Sequence, residues 1–177
     1  MLQGLRSASA TTTSMSLEGA LSRLGEECRP ESAVHFRILV SGHSRAMKPT
    51  VQEQIYLIAR EALVNALRHS EATSIEAEVE YLPDRLRVAV RDNGRGIDPE
   101  VVRSGRDGHW GMASMRERAE NIGARLRVRS RTAAGTDVEL SVPNRIAFPH
   151  QSSQRPLGWL ASAFPGKTRA GDSKTNE

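Results

Sequence analysis

Two polar residues, Glu61 and Asn65, stand four positions apart in the segment REALVNALRHS, among otherwise largely apolar residues. Residues at this spacing share one face of a helix, and a carboxylate beside an amide is costly to bury without partners. A bound metal ion, a water molecule or a phosphate group would satisfy both, with Arg68 and His69 extending the same side. Hydrogen bonds to a neighbouring loop would satisfy them equally well, so the pair alone leaves both interpretations open.

A second polar segment, RDNGRGID at residues 91–98, directly follows a predicted strand. Gly94 and Gly96 would let the backbone approach a ligand closely, and Asp92 could accept a hydrogen bond from an exocyclic amine. Asp-Asn-Gly also forms ordinary tight turns, and no helix opens here as a Rossmann fingerprint requires. Taken alone, this segment favours a plain turn.

A third segment, GHWGMASMRERAE at residues 108–120, places two glycines before a predicted helix. The free N–H groups at a helix N-terminus bind anions, so Gly108 and Gly111 would precede such a site. Ser114 and Arg116 add donors near the first turn. An ordinary loop that ends in a helix start explains the same residues.

Three amphipathic segments predict the helices that position these residues. The strongest covers Pro49–His69, where proline suits a helix start and apolar residues on several sides predict extensive burial. Its main apolar stripe consists of Val51, Ile55, Ile58, Ala59, Ala62 and Ala66. The other two helices are predicted at Leu17–Cys28 and Met112–Ile122.

Strict alternation of apolar and polar residues predicts two hairpins and one further strand. In the first hairpin, a strand rich in Glu faces one rich in Arg, which is a favourable cross-strand arrangement on its outer surface. In the second, Gly135 lies in the turn and Thr136 opens the strand that begins GTDVEL. The strands are predicted at Val34–Val40, Ser74–Tyr81, Arg85–Arg91, Arg125–Arg129 and Asp137–Val142.

The order helix, strand, helix, hairpin, loop, helix, hairpin predicts an α+β fold. We expect a two-layer α/β sandwich, with a mixed, mostly antiparallel sheet covered by helices on one face. The predicted divisions are a mobile N-terminus with a short helix (1–29), the folded domain (30–143) and a flexible C-terminal tail (144–177).

Composition excludes several classes of protein. The 177 residues include one cysteine, Cys28, which rules out an intramolecular disulfide and a cysteine-based zinc site and agrees with a reducing cytoplasm. No stretch approaches the roughly 18 to 20 apolar residues that span a bilayer. The net charge of +4 invites a nucleic-acid hypothesis, but the arginines are dispersed and aromatics are scarce, so direct nucleic-acid binding is not expected.

Together, the order and spacing of these segments are far more specific than each segment alone. The sequence resembles the ATP-binding domain shared by sensor histidine kinases, DNA gyrase, heat-shock ATPase chaperones and mismatch-repair ATPases, known as the Bergerat fold. REALVNALRHS resembles the asparagine box, DNGRGI the first glycine box, GHWGM the second, and GTDVEL the closing strand. The segments REALVNALRH and GMASMRERAE most resemble the corresponding segments of sensor kinases that signal to response regulators with a LuxR/NarL-type DNA-binding domain.

The resemblance implies a phosphate side and a metal. Asn65 would hold Mg2+, which bridges the phosphates of ATP. Glu61 would orient or activate the group that attacks the γ-phosphate. Arg68 and His69 would lie near the phosphates.

It also implies a base side. Asp92 would receive the adenine amino group, with Gly94 and Gly96 lining the pocket and Ile97 packing nearby. Thr136 would support the adenine site through a hydrogen bond.

The lid is implied at Gly108, Gly111 and Met112, which would form its hinge and a phosphate cradle. The loop between the glycine boxes is short, and no separate phenylalanine-containing box is visible, which resembles the named subfamily.

The phosphate-accepting histidine of the family, which lies on an upstream dimerisation helix, has no counterpart. The five candidates have the wrong context: His35, His43, His69, His109 and His150. We therefore expect a cytoplasmic domain that phosphorylates a histidine on another segment or protein, with a parent protein associated with the inner membrane. The helix Leu17–Cys28 would be the end of the second dimerisation helix, and the module alone would be monomeric.

Three alternatives remain. One is an anti-sigma-factor kinase that phosphorylates serine, which the wording of the boxes disfavours. Another is a nucleotide-binding interaction module without transferase activity. The third is a basic nucleic-acid binder.

Overall fold

The computed structural model describes residues 15–27, 34–97 and 110–149; at Trp110 it describes the backbone. Within these ranges the strands are β1 (His35–Ser41), β2 (Ser74–Tyr81), β3 (Arg85–Asp92), β4 (Arg125–Ser130) and β5 (Thr136–Pro143). The helices are α1 (Leu17–Glu27), α2 (Pro49–His69), α3 (Trp110–Asn121) and α4 (Asn144–Ala147).

The described strands form one five-stranded sheet in the order β1-β2-β3-β5-β4. β1 pairs with β2 in parallel, and every other neighbouring pair is antiparallel. α2 packs between α1 and α3 and lies over the central strands. The predicted α+β sandwich with a mixed, mostly antiparallel sheet is therefore confirmed.

Alternation along the strands decides which side chains face the helices. In β2 every second residue is buried, beginning at Ile75, and in β3 the inward positions are Leu86, Val88 and Val90. These side chains join the apolar stripe of α2 in one core. Because side chains of a strand alternate between faces, the charged residues of the same strands are left on the outer surface.

The outer surface of the sheet carries a lattice of ion pairs centred on Arg87. Its guanidinium contacts Glu78 at 2.7 Å, Glu80, and Glu139 at 3.5 Å. Arg91 also pairs with Glu78, at 2.8 Å. The expected Glu-against-Arg arrangement is confirmed, and it extends across three strands because β5 contributes acidic residues as well.

The predicted element boundaries hold to within one or two residues. Both ends of α2 are as predicted, whereas α3 begins at Trp110, two residues before the predicted Met112. The prediction that both glycines of GHWGM precede the helix was therefore wrong for Gly111, which lies in the first turn. A glycine is tolerated there because close packing against α2, described below, leaves no space for a side chain.

The folded domain extends past Pro143, where the sequence predicted a tail. α4 follows β5 directly, Ala147 is buried, and Phe148 is only 6% exposed. The ring of Phe148 lies 6.1 Å from that of Tyr81, and the guanidinium of Arg45 stands 4.0 Å from its centre. Four residues are too few to show helical periodicity, which is why the pattern missed them.

At the other end, α1 shares the same core, since Leu17 and Leu21 are fully buried. Glu18 of α1 accepts a hydrogen bond from the hydroxyl of Tyr81. The short N-terminal helix is thus packed onto the domain. None of the helices in the described part of the chain has the length and apolar character that crossing a bilayer requires.

Candidate active site

Asp92 and Thr136 meet where β3 and β5 pair, at the end of the sheet. The half-buried Asp92 carboxylate accepts a hydrogen bond of 2.9 Å from the Gly94 N–H, and the N–H and hydroxyl of Thr136 also donate to it. Burial raises the pKa of Asp92 above its ordinary value, and these three hydrogen bonds oppose that rise without cancelling it. Asp92 and Thr136, which the family resemblance assigned to one adenine site, are thus neighbours on paired strands, and their role in binding a base stays a prediction.

Both residues line a cleft of about 600 Å3. Val128 supplies an apolar wall, and Ser130 and Gly135 complete the region around Thr136. A concave site with an apolar wall and a few convergent polar groups is the usual form of a small-molecule pocket. Its rim is basic, with Arg91, Arg129 and Arg131.

Glycines around the cleft are needed for contacts between chain segments. Gly96 and Gly135 have φ values of 71° and 81°, a conformation that side chains disfavour. A Cβ on Gly94 would collide with the carbonyl of Ser70, and one on Gly135 with the carbonyl of Asp92. Gly94 and Gly96 are therefore explained by packing, and their predicted part in a base pocket stays a prediction.

On α2, Glu61 and Asn65 share one helix face, as predicted. The Asn65 amide donates to the Glu61 carboxylate at 3.3 Å, and both side chains are half-buried. Gly111 of α3 lies so close that a Cβ there would collide with that carboxylate. The structure thus sets a polar pair of α2 against the first turn of α3.

Of the remaining predicted site residues, two are exposed, one is buried in the core and one lies outside the described residues. Arg68 and His69 are exposed at the end of α2, and the His69 carbonyl accepts a hydrogen bond of 3.0 Å from Arg95. Met112 is 5% exposed and belongs to the core, so its side chain contributes packing, and only its backbone remains for a phosphate cradle. Gly108 lies outside the described residues.

Ser130 was missed from the sequence, although its hydroxyl contacts three groups around the cleft. The amide of Ile97 donates to it at 2.7 Å, a bond not foreseen when Ile97 was assigned to packing. The sequence of β4 did contain a signal for Ser130. The inward positions of β4 run Leu126, Val128, Ser130, so a polar residue stands where alternation predicts an apolar one.

The comparisons with known proteins agree on histidine kinases and related ATPases as the proteins that this chain is similar to. Residues 50–146 match the family described as histidine kinase-, DNA gyrase B- and HSP90-like ATPase. The histidine-protein kinase/phosphatase DegS of Bacillus subtilis is 27% identical over 118 residues, covering 67% of this chain and 31% of DegS. The nitrate/nitrite sensor NarX of Escherichia coli K12 is 42% identical over 81 residues, 46% of this chain and 13% of NarX. The chain thus spans about a third or less of these relatives' lengths.

Solved structures agree on the fold. The blue-light activated histidine kinase of Erythrobacter litoralis EL346 superposes with a TM-score of 0.64 at 22% identity, covering 77% of this chain and 45% of that one. Full-length ShkA in complex with AMPPNP gives a TM-score of 0.62 at 20% identity, covering 73% and 30%.

Proposed function

Since the chain belongs to the family of histidine kinase-, DNA gyrase B- and HSP90-like ATPases, we propose that it is the ATP-binding catalytic domain of a two-component sensor histidine kinase. It transfers the γ-phosphoryl group of ATP to a histidine on another segment or another protein. The observation that carries this proposal is the Asp92–Thr136 pair at the cleft, because a half-buried carboxylate there suits a base that presents an amino group.

The base enters the cleft between the Val128 wall and Asp92. The carboxylate accepts from the 6-amino group of adenine, while Gly94 and Thr136 hold it in position through their hydrogen bonds. A carboxylate has about four acceptor positions and three are used here, so one remains for the amino group. This favours a base with a donor at that position.

The phosphates lie towards α2, where Asn65 and Glu61 present side-chain oxygens. These groups fit Mg2+, which prefers oxygen ligands and takes only one or two from the protein, completing its shell with phosphates and water. The described residues contain no group of three or more His, Cys, Asp or Glu that would form an all-protein cage. When bound, the ion neutralises charge on the phosphates.

Phosphoryl transfer needs positioning and charge neutralisation above all. The bond between the γ-phosphorus and the bridging oxygen of ATP breaks, a bond to the ring nitrogen of the acceptor histidine forms, and ADP leaves. Glu61 orients the attacking imidazole by hydrogen bonding. Arg68 and His69, exposed at the end of α2, attract the phosphates.

The partners follow from the same proposal. The acceptor histidine lies on a dimerisation segment in cis or in trans, and the phosphoryl group passes on to a response regulator. The wording of the asparagine and second glycine boxes supports a LuxR/NarL-type regulator. The domain works in the cytoplasm, with a parent protein at the inner membrane.

The deciding experiment is calorimetric titration with ATP, with and without Mg2+, on the wild type, Asp92→Ala and Asn65→Ala. We expect Asp92→Ala to abolish binding and Asn65→Ala to remove its dependence on Mg2+, while Asp84→Ala, an exposed turn carboxylate, changes nothing. A wild-type chain that binds no adenine nucleotide would exclude the proposal. With a histidine-containing dimerisation segment supplied in trans, phosphohistidine supports the kinase, phosphoserine on a partner favours a serine kinase, and binding without transfer favours an interaction module.

A further inference from the structure

Ser130 is the last residue of β4, and its side chain occupies an inward position beside the cleft. Its hydroxyl accepts the Ile97 N–H at 2.7 Å, lies 3.1 Å from the carbonyl of Gly135, and lies 3.0 Å from the hydroxyl of Thr136. One hydroxyl thus contacts three groups, the amide of Ile97 and two groups of the adjoining residues Gly135 and Thr136.

Gly135 and Thr136 line the cleft, and Ile97 ties them to the segment that follows Asp92. The segment that follows Asp92, residues 93–97, is called the glycine segment, and it ends at Ile97. Gly135 forms the turn between β4 and β5, and Thr136 hydrogen-bonds to Asp92. If the hydroxyl were removed, the amide of Ile97 would lose its acceptor. The turn at Gly135 would also lose one of its contacts with the segment that follows Asp92.

The other end of the glycine segment is held by α2. The Arg95 N–H donates to the Ser70 carbonyl at 2.7 Å, and the Arg95 side chain donates to the His69 carbonyl at 3.0 Å. Ser130 and Arg95 therefore hold a short bridge from the end of α2 to the turn after β4. A displacement of Ser130 would therefore also displace the backbone between Ile97 and Arg95.

The proton of Ser130 has two alternative destinations, because a hydroxyl donates once and accepts twice. When Ser130 donates to Thr136, the Thr136 hydroxyl in turn donates to Asp92. That bond helps to hold the Asp92 carboxylate in place, and as an acceptor the carboxylate matches the 6-amino group of adenine and opposes the 6-oxo group of guanine. Without Ser130, the Thr136 side chain loses the neighbour that fixes its direction.

We propose that Ser130 is a positioning residue for the nucleotide base, which fixes Thr136 and the Ile97 end of the glycine segment and thereby favours adenine over guanine. The proposal rests on the proposed function, since it concerns the same cleft. Ser130 acts through Thr136 and Ile97.

The test compares Ser130→Ala with Ser130→Thr, which restores a hydroxyl on a strand-compatible side chain. Ser141→Ala is the matched control, because Ser141 lies on the neighbouring strand with its side chain on the outer surface. Affinities for ATP and GTP are measured with fluorescent analogues. Amide hydrogen exchange at Ile97 is followed without nucleotide.

Loss of a buried hydrogen bond of this kind lowers affinity by roughly tenfold. We expect Ser130→Ala to weaken ATP binding by about that factor, to weaken GTP binding much less, and to speed exchange at Ile97. Ser130→Thr should recover most of the preference for ATP, and Ser141→Ala should match the wild type.

An unchanged ratio of ATP to GTP affinity in Ser130→Ala would overturn the proposal. So would equal losses in the Ala and Thr variants with equally lowered melting temperatures, because that result assigns Ser130 a structural role alone. If the wild type binds no ATP, the proposed function fails first, and the exchange rate at Ile97 still shows whether Ser130 anchors that segment.

Discussion

Gly111 of α3 lies directly against the carboxylate of Glu61 on α2, with no room for a β-carbon between them. This contact means that the acidic residue proposed to orient the attacking group is held by packing against a backbone. The glycine of the second box is thus tied to the function of the asparagine box.

We expect Gly111→Ala to damage the site even though alanine favours helices over glycine by about 1 kcal/mol. The new methyl group must displace the end of the Glu61 side chain. Because that side chain is flexible, the overpacking costs only about 1 kcal/mol, the low end of the usual range. Phosphotransfer should fall at least tenfold. Thermal melting and a transfer assay with a dimerisation segment in trans measure the two effects.

Gly19→Ala is the matched control, because its β-carbon would meet mainly the flexible side chain of Met15. That variant should be neutral or slightly more stable. The stability loss of Gly111→Ala should largely vanish in a Glu61→Ala background. An equal loss with and without Glu61 would contradict the proposed clash.

Asp92→Asn should affect the stability of the fold and the affinity for ATP in different ways. Burial raises the pKa of Asp92, so its contribution to stability is present in full below the unfolded pKa of about 4 and is lost as pH rises through the higher folded value. ATP binding needs the carboxylate as acceptor and should change with pH in the opposite direction. Asn removes the burial penalty but weakens ATP binding, by about tenfold or more.

Melting curves and ATP titrations across the acidic range check both parts. Asp84→Asn, at an exposed turn, serves as the control. If Asp92→Asn bound ATP as tightly as the wild type at every pH, recognition of the base by Asp92 would be wrong.

The Tyr81 hydroxyl ties β2 to α1 through Glu18 and also contacts Ser44 at 3.2 Å. Burial, followed by the hydrogen bond to Glu18, raises the pKa of Tyr81 to about 12. Because the folded pKa is raised, the stabilisation is present in full below the unfolded value of about 10 and is lost as pH rises through about 12.

Tyr81→Phe should therefore cost about 1–3 kcal/mol at neutral pH. The Glu18 carboxylate keeps only the longer bond from Ser44, at 3.4 Å, and its other oxygen is already buried without a partner in the described part of the chain. The difference from the wild type should shrink in strong alkali. Urea unfolding measures it, with Tyr56→Phe as the control. A constant difference between pH 8 and about 12 would exclude the hydrogen bond as its source.

Arg87→Met should be strongly destabilising. The Arg87 side chain is only 18% exposed and faces Glu78, Glu80 and Glu139, and removing the cation leaves three carboxylates close together. Breaking such a partly buried pair costs roughly 3 kcal/mol. Arg125→Met lies at an exposed position on the edge strand, where Arg125 has no ion pair within the described residues. It should cost less than about 0.5 kcal/mol.

The same variant should change the response to acid. Glu80 has a lowered pKa, chiefly through its hydrogen bond to Arg87, so its contribution is present above the unfolded pKa and lost as pH falls. Urea midpoints from neutral to acidic pH should therefore fall less steeply for Arg87→Met. Parallel curves for the two proteins would count against the lattice as a source of stability.

Local pattern was sufficient for most of the fold. Alternation predicted β2 and β3 almost to the residue, and the apolar stripe with Pro49 predicted both ends of α2. The family resemblance, and not local pattern, implied an adenine site at Asp92 and Thr136, which are distant in sequence and lie on paired strands.

What sequence missed depends on contacts between distant segments. Gly111 is needed where α3 approaches the Glu61 carboxylate, and Gly135 is needed where the turn approaches the carbonyl of Asp92. Ser130 carries no motif, and its importance arises only when Ile97 and Thr136 come together. Phe148 is held by Tyr81 and Arg45, far away in the chain.

Two strand pairings in the sheet have a consequence for how the domain folds. β2 pairs with β3 and β4 pairs with β5 across short turns, whereas β1 pairs with β2 only across all of α2, and β3 pairs with β5 across a still longer stretch of chain. Closing such large loops costs entropy, and such distant contacts form slowly. We therefore expect the two hairpins to form first, and β1, although synthesised before every other strand of the sheet, to wait for β2 before it can dock.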